Sequence, residues 1–215
     1  MRVLKLDELN VLSQQSEKEK RQVSIPYDEY FGIMNIPQKE IKKRIALANE
    51  LEDAFLLYFG LYEQAKTIGN LNYPKEQLRE DIVNALSDVM VLEDSTFKIV
   101  DYIVNDVEEK TKKYSQEDEW YLSDDRAIAL AENGSNSFYN NDDYEIAVKQ
   151  GRTQKTWVTE KDNKVRNTHR EVDEVTIAIN EVFHVGNSEM MFPGDSSLGA
   201  SQDQLINCRC SIIYK

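Results

Sequence analysis

The chain has 215 residues, of which 40% are hydrophobic and 30% charged, and its formal net charge at pH 7 is −13. This length suits one domain or two small ones, and no apolar run approaches the roughly 20 residues that a membrane-spanning helix needs. Nearly all of the negative charge lies before Gly151, and an acidic surface repels phosphate backbones, which argues against extensive nucleic-acid binding.

The N-terminal stretch and the cysteine content indicate the kind of cellular compartment in which the protein folds. Residues 1–22, MRVLKLDELNVLSQQSEKEKRQ, lack the apolar core followed by small residues that marks a secretory signal peptide. Two cysteines in the whole chain are too few for a disulfide framework. Together these features predict a protein of a reducing compartment.

Residues 1–150 are predicted to form a mainly helical body. After Pro37, apolar residues recur every three to four positions, which predicts a helix ending near Gly69. Pro74 suits the first position of the next helix, and a further helix is expected from about Ser95. The apolar face of the first helix is Ile41, Ile45, Ala48, Leu51, Phe55 and Tyr58. That of the second is Leu78, Ile82, Leu86 and Val89.

The last part of this body contains an ambiguous stretch. Ser123, followed by acidic residues, is a good N-cap for a helix that runs at least through Ala131. The next segment, ENGSNSFYNNDD at 132–143, has the composition of a turn. It could equally continue the helix to Gly151, and the pattern leaves both interpretations open.

From Gly151 onward the pattern favours short strands. The runs KTWVT, VTIAI, VFHV, EMMF and INCRCSIIY are apolar or rich in β-branched residues. We therefore predict an α+β fold, in which the helical body of residues 1–150 is followed by a small α+β module of residues 151–215.

The two cysteines, Cys208 and Cys210, stand one residue apart in the predicted final strand. Alternation along a strand makes their side chains face the same way. Their α-carbons would be about 6.6 Å apart, at the upper edge of disulfide geometry, so a mutual disulfide is not expected. Two thiols on one face could share a metal ion or pack in the core.

A metal would need further ligands, and His169 and Asp173 are the candidates. If RNTHREVD is helical, the two side chains stack on one face, and with the two cysteines they would supply four ligands that zinc accepts. The alternative, which the unusual spacing favours, is a core without a cofactor. There, His169 and Asp173 would form a hydrogen-bonded pair, and the charge would be balanced by Arg166, Arg170 or Arg209. The other histidine, His184, is predicted to be a surface or capping residue and not a ligand.

An ordered set of residues between Trp157 and Cys210 carries a resemblance to a known family. The set is Trp157, Thr159, Asp162, Val165, Arg166, His169, Asp173, Phe183, Pro193, Gly194, Asp195, Asn207, Cys208, Arg209 and Cys210. In order and spacing it resembles the C-terminal domain of the phage Mu F-like minor head proteins, also called phage head morphogenesis proteins. The matched region covers less than a third of the chain.

Two positions depart from the family's pattern. Where the family has Ala-Arg-Thr-Glu in the preceding helix, this chain keeps the acid as Glu132 but lacks the arginine. Where the family has Leu-Asp-Gly after the histidine, this chain has Val172, Asp173 and Glu174. Without the glycine, the backbone at this turn adopts a positive φ less readily.

The resemblance implies a minor head (minor capsid) protein that acts in phage head morphogenesis. Its expected partners are the portal and capsid proteins, with transient contact with packaged DNA. Its expected location is the capsid interior near the portal, after assembly in the bacterial host cytoplasm, and transfer with the DNA at ejection is left open. On this interpretation the chain is not an enzyme.

An enzyme is the alternative interpretation of the same residues. In it, His169, Asp173, Asp195 and the cysteines would hold a metal ion that activates water for hydrolysis. A cysteine paired with His169 as a nucleophile is the thiol-dependent version of this idea.

Overall fold

The computed structural model describes residues 25–69 and 72–215, so the N-terminal stretch inspected for a signal peptide lies outside the described residues. The helical elements come first: α1 (Ile25–Phe31), α2 (Gln38–Ile68), α3 (Asn72–Ser87), α4 (Asp94–Tyr114), a short 3-10 helix (Glu119–Leu122) and α5 (Asp124–Lys149). The remaining elements are β1 (Gln154–Val158), α6 (Asn167–Arg170), β2 (Thr176–Ala178), β3 (Phe183–Val185), β4 (Ser188–Met190), α7 (Gln202–Leu205) and β5 (Ser211–Tyr214).

The predicted fold class, α+β with a mostly helical body and a small C-terminal module, is confirmed. None of the helices within residues 25–69 and 72–215 has both the length and the apolar character needed to cross a lipid bilayer.

Two helix ends follow the local chemistry that the sequence predicts, whereas α3 begins at Asn72, two residues before the predicted first position, Pro74. Gly69 ends α2 in the left-handed conformation, with φ of 76°, and its N–H donates to Ala65 O at 2.8 Å. Ser123 caps α5, its Oγ accepting from the N–H of Arg126 at 3.2 Å. Helix α4 begins at Asp94, one residue before the expected start.

The helical body is built around α2, which packs against α3 and α5, and α4 also packs against both α3 and α5. The predicted apolar faces of α2 and α3 are buried, with Ile45 partly so. The exception is Val89, which is exposed because α3 ends at Ser87 and the chain turns there.

The C-terminal module contains two small antiparallel sheets. Strand β1 lies in the centre of a three-stranded sheet ordered β2-β1-β5, and β3 pairs with β4. The strand predicted for INCRCSIIY is shorter than expected, because pairing with β1 begins only at Ser211. A second core lies within this module and comprises Trp157, Val172, Phe183, Val185, Met190, Ala200, Cys208 and Cys210.

Helix α5 runs without interruption through the ambiguous segment 132–143. The residues from Gly134 to Asn141 are all buried, including the polar ones. Five of these polar side chains donate to other segments: Asn136 Nδ2 to Cys208 O at 2.7 Å, Ser137 Oγ to Gly194 O at 2.7 Å, Asn140 Nδ2 to Pro193 O at 2.8 Å, Asn141 Nδ2 to Thr96 Oγ1 at 3.1 Å and Ser135 Oγ to Arg44 O at 2.7 Å. The first three bind loops of the C-terminal module, so this row of polar side chains, the α5 polar seam, joins the module to the helical body.

Arg44 completes the α5 polar seam from the side of α2. Its guanidinium is 2% exposed and donates from Nη1 to Asn136 O and Oδ1 at 3.1 and 3.0 Å. Its Nη2 donates to Asn140 Oδ1 at 3.2 Å and to Asp143 Oδ2 at 3.3 Å. Because a buried cation is costly unless paired and hydrogen-bonded, these partners determine how α2 and α5 pack.

We predict that Asn136→Ala destabilises the whole chain. The substitution removes one acceptor from Arg44 and one donor from Cys208 O, both in buried positions, so the free energy of unfolding should fall by about 2 to 4 kcal/mol. Urea denaturation followed by circular dichroism measures the change. Asn84→Ala, at an exposed position of α3, is the matched control and should change stability by less than about 0.5 kcal/mol. Equal effects of the two substitutions would contradict the structural role given to the α5 polar seam.

Candidate functional site

His169, Cys208 and Cys210 come together in the core of the C-terminal module. The three side chains are buried, with His169 1% exposed. His169 Nδ1 lies 3.4 Å from Cys210 Sγ and 3.6 Å from Cys208 Sγ. Their ligand atoms all lie within 4.8 Å of one another. We call these three residues the His-Cys-Cys cluster.

The backbone conformation around Asn207 positions both thiols beside His169. Asn207 has φ of 54°, in the left-handed region that asparagine tolerates better than most residues. Its N–H donates to Asn133 Oδ1 on α5. The chain then extends toward β5, and both cysteines point at His169. Arg209, between them, reaches Asp162, with Nη2 and Oδ2 2.9 Å apart.

The two thiols therefore converge as the sequence predicts, although the assigned strand begins just after them. Both cysteines are free, as expected.

Aromatic rings form an apolar wall beside the cluster. Trp157 is fully buried on β1 and meets the His169 ring edge-on, with centroids 5.6 Å apart. Phe183 packs against Trp157 at 5.2 Å. His169 Nε2 is buried and has no hydrogen-bond partner among the described residues. The imidazole therefore interacts with polar groups of the described chain only through Nδ1.

Asp173 is not part of the cluster, which corrects the predicted four-ligand set. Helix α6 ends at Arg170, so Asp173 does not stack on His169. Instead, Asp173 Oδ1 accepts a hydrogen bond from Thr159 N at 2.8 Å, and Oδ2 lies 3.8 Å from Lys161 Nζ. The alternative prediction of a His169–Asp173 hydrogen bond is also wrong, because this carboxylate secures the loop that follows β1.

The two thiols of the cluster differ in acidity. The Cys210 thiol donates to Cys208, and together with His169 this lowers the pKa of Cys208 well below its usual value, against the opposing effect of burial. The same hydrogen bond and burial raise the pKa of Cys210.

Two adjacent cavities lie beside the cluster. A small one of about 10 Å³ touches all three residues of the cluster and Glu160. A larger one of about 500 Å³ is lined by Tyr30 and Glu132 among others. Both cavities share the wall formed by Lys164, Arg166, Asn207 and Arg209.

The three arginines proposed as charge partners have separate roles. Arg209 pairs with Asp162, and Arg170 Nη2 donates to Asp162 O at 3.1 Å. Arg166 Nη2 donates to Ile206 O. None of these contacts is with the thiols, so the arginines organise the loops around the cluster. His184 lies on the surface as predicted, with Nδ1 3.5 Å from Glu189 Oε1.

Asp195 holds the Pro-Gly-Asp turn and lies away from the thiols. It is fully buried, and its carboxylate accepts from Met191 N and Ser197 N, each at 2.8 Å. The neighbouring Lys155 Nζ donates to Met191 O at 2.8 Å, and burial lowers the pKa of this amine to about 8. Asp195 is therefore explained as a structural residue.

Sequence reasoning missed several residues that shape the site. Glu160 lines the small cavity, and Tyr30 OH donates to Cys208 O at 2.8 Å. Asn136 binds the same carbonyl from α5. Only Asn136 carried a signal, since a run of asparagine and serine inside a helix is unfavourable unless the side chains find partners.

No protein-family model, curated protein or solved structure matches this chain. The resemblance to the Mu F-like proteins therefore depends on the ordered residues alone, and the function it implies stays a prediction.

The burial of the Glu132 carboxyl can be tested through the pH dependence of the stability of the fold. Burial raises the pKa of this carboxyl to about 7, so the folded chain holds the proton more tightly than the unfolded chain does. The stability from this proton is present at acidic pH and is lost as the pH rises from the usual glutamate range through about 7. We expect Glu132→Gln, which cannot ionise, to become progressively more stable than the wild type across this range. Urea denaturation of both proteins at pH 5 and pH 8 measures the difference, and a constant difference would contradict the assignment.

A second test concerns the close approach of Gly194 to α5. Gly194 has φ of 83°, and a Cβ there would lie 3.3 Å from Ser137 Cα. Gly199 has φ of 78°, but no atom of residues 25–69 or 72–215 lies within 4 Å of such a Cβ. Both alanine substitutions should incur the left-handed penalty of about 1 kcal/mol, and Gly194→Ala should be the more destabilising. Equal melting temperatures for the two variants would show that the close contact between Gly194 and α5 leaves room for a Cβ atom.

Proposed function

We propose that this chain is a phage minor head protein that acts in head morphogenesis through interactions and not through catalysis. Its partners would be the portal and capsid proteins, with transient contact with packaged DNA. It would lie inside the capsid near the portal, after assembly in the host cytoplasm. Transfer with the DNA at ejection is compatible with this role.

The observation that carries the proposal is the mutual pairing of the family-pattern residues. These positions are scattered between residues 157 and 210, yet most of the polar ones bind another member of the set: Thr159 with Asp173, Asp162 with Arg209, and His169 with both cysteines. Trp157 packs against His169 and Phe183. An accidental string of matches has no reason to contain so many pairs that are in contact with each other.

A departure from the family pattern also supports the proposal. Glu174 stands where the family has glycine, and its φ is 62°, in the region that glycine adopts most readily. The turn therefore keeps the backbone conformation that a glycine would favour. Lys161 binds the Glu174 carboxylate, and Glu174 N donates to Trp157 O at 2.8 Å.

The charge distribution agrees with a protein contact more than with a nucleic-acid contact. Most of the acidic excess lies in the helical body, where it would repel packaged DNA and leave the surface available for protein partners. Three basic residues of the C-terminal module, Lys164, Arg166 and Arg209, line the larger cavity together with the acidic Glu132.

The proposal predicts that purified mature phage particles from the source strain contain this chain at a low copy number in fixed ratio to the portal protein. Quantitative mass spectrometry of gradient-purified particles measures the ratio. A host cytoplasmic protein of similar abundance in the lysate is the control for carry-over. Presence in the lysate but absence from particles would contradict a structural head protein and would favour a transient assembly factor or an enzyme.

A hydrolase that uses the His-Cys-Cys cluster is the second candidate. It is favoured by the cavity of about 500 Å³, which Lys164, Arg166 and Arg209 line and which shares a wall with the small cavity at the cluster. The displaced Asp173 weakens it, because no carboxylate joins the cluster in the described residues. Hydrolysis of peptide or nucleic acid by the pure chain, lost in His169→Ala and kept in His184→Ala, would establish this function. Equal activity in both variants would assign it to a contaminant.

A further inference from the structure

We infer that His169, Cys208 and Cys210 bind one zinc ion, with Nδ1 and the two Sγ atoms as ligands and the fourth position facing the small cavity. This inference stands independently of the proposed role in the phage head.

The spacing of the ligand atoms fits a tetrahedral ion. With Zn–N and Zn–S bonds of the usual length, a nitrogen and a sulfur on neighbouring corners of the tetrahedron lie about 3.6 Å apart. The two observed distances from Nδ1 are 3.4 and 3.6 Å. The limit of 4.8 Å for all pairs in the cluster also accommodates the separation of two zinc-bound thiolates, about 3.8 Å.

Hydrogen bonding alone does not satisfy this arrangement. One imidazole nitrogen carries either one proton or one lone pair, so Nδ1 can form one good hydrogen bond and not two. Two sulfur atoms nonetheless approach the same Nδ1. A metal ion between the three atoms would bind all of them at once.

The charge and polarity of the site also suit zinc. Two thiolates and one divalent ion form a neutral group, which can be buried at much lower cost than a lone thiolate or imidazolium. Thiolate and imidazole ligands favour zinc, copper and iron over magnesium or calcium. The apolar wall of Trp157 and Phe183 keeps water away from one side of the site.

The fourth position has room for one small ligand. The small cavity of about 10 Å³ is lined by Glu160 as well as by the cluster. A volume of about 10 to 15 Å³ is the least that holds a water molecule. Three protein ligands and one exchangeable position are the arrangement of open zinc sites, whereas closed structural sites have four protein ligands.

A bound ion would connect distant parts of the module. His169 lies on α6, and the cysteines lie about 40 residues later, just before β5. The strands of the module are three to five residues long, so this part of the chain has little sheet pairing of its own. Metal binding that requires the folded site would stabilise the folded state.

The test is the metal content of the full chain, purified under reducing conditions with a histidine-free tag from cells supplied with zinc. We expect elemental mass spectrometry to find close to one zinc per chain in the wild type. In Cys208→Ser and in Cys210→Ser we expect a loss of at least roughly tenfold. His184→Ala removes the exposed histidine and is the matched control, which should keep the wild-type content. Equal zinc content in the wild type and both serine variants would overturn the assignment.

A second measurement decides the question if the serine variants do not fold. Cobalt added to the metal-free wild-type chain should give thiolate-to-cobalt charge-transfer absorption and the intense visible bands of a tetrahedral site, saturating at one ion per chain. Zinc should displace the cobalt and protect both thiols from a thiol-specific reagent. A wild-type chain that contains no zinc as purified and gives no cobalt–thiolate absorption would overturn the inference.

Discussion

The packing of this protein depends on a chain of buried hydrogen bonds that runs from Arg44 through Asn136 to the carbonyl of Cys208. Arg44 is on α2, Asn136 is in the middle of α5, and Cys208 belongs to the C-terminal module. A buried guanidinium left without acceptors would destabilise the fold far more than any one of these bonds stabilises it, so the partners constrain one another. The three segments consequently pack in an arrangement that gives the two terminal nitrogens of Arg44, the side chain of Asn136 and the carbonyl of Cys208 hydrogen-bond partners together.

This dependence explains what the sequence could predict about the fold and what it could not. Helix α2 and the Ser123 cap depend on local patterns, namely apolar periodicity and a side chain that binds the first turn. The segment 132–143 has no such local signal, because asparagine, serine and glycine favour turns when they face water. It is helical because the partners of its side chains lie in other segments, and those partners are not visible in a local pattern.

The candidate site was predictable to a similar extent. Alternation of side chains in an extended segment was enough to place Cys208 and Cys210 on one side, and this holds although the assigned strand begins at Ser211. The position of Asp173 was not predictable, because it depended on the length of a helix that ends after one turn. Asp173 lies beyond the end of that short helix, and its carboxylate accepts a hydrogen bond from the N–H of Thr159, which closes the loop after β1.

Cys208 connects the candidate site to the rest of the molecule. Its sulfur faces His169, while its carbonyl accepts from both Tyr30 and Asn136 in the helical body. Phe192 of the C-terminal module is likewise buried in the core of the helices. The secondary structure therefore changes from long helices to short strands at Gly151, but the side chains before and after this point pack together. A substitution that loosens the α5 polar seam would move the carbonyl of Cys208 and with it the thiol, so the geometry of the cluster and the stability of the helical body are coupled through this one residue.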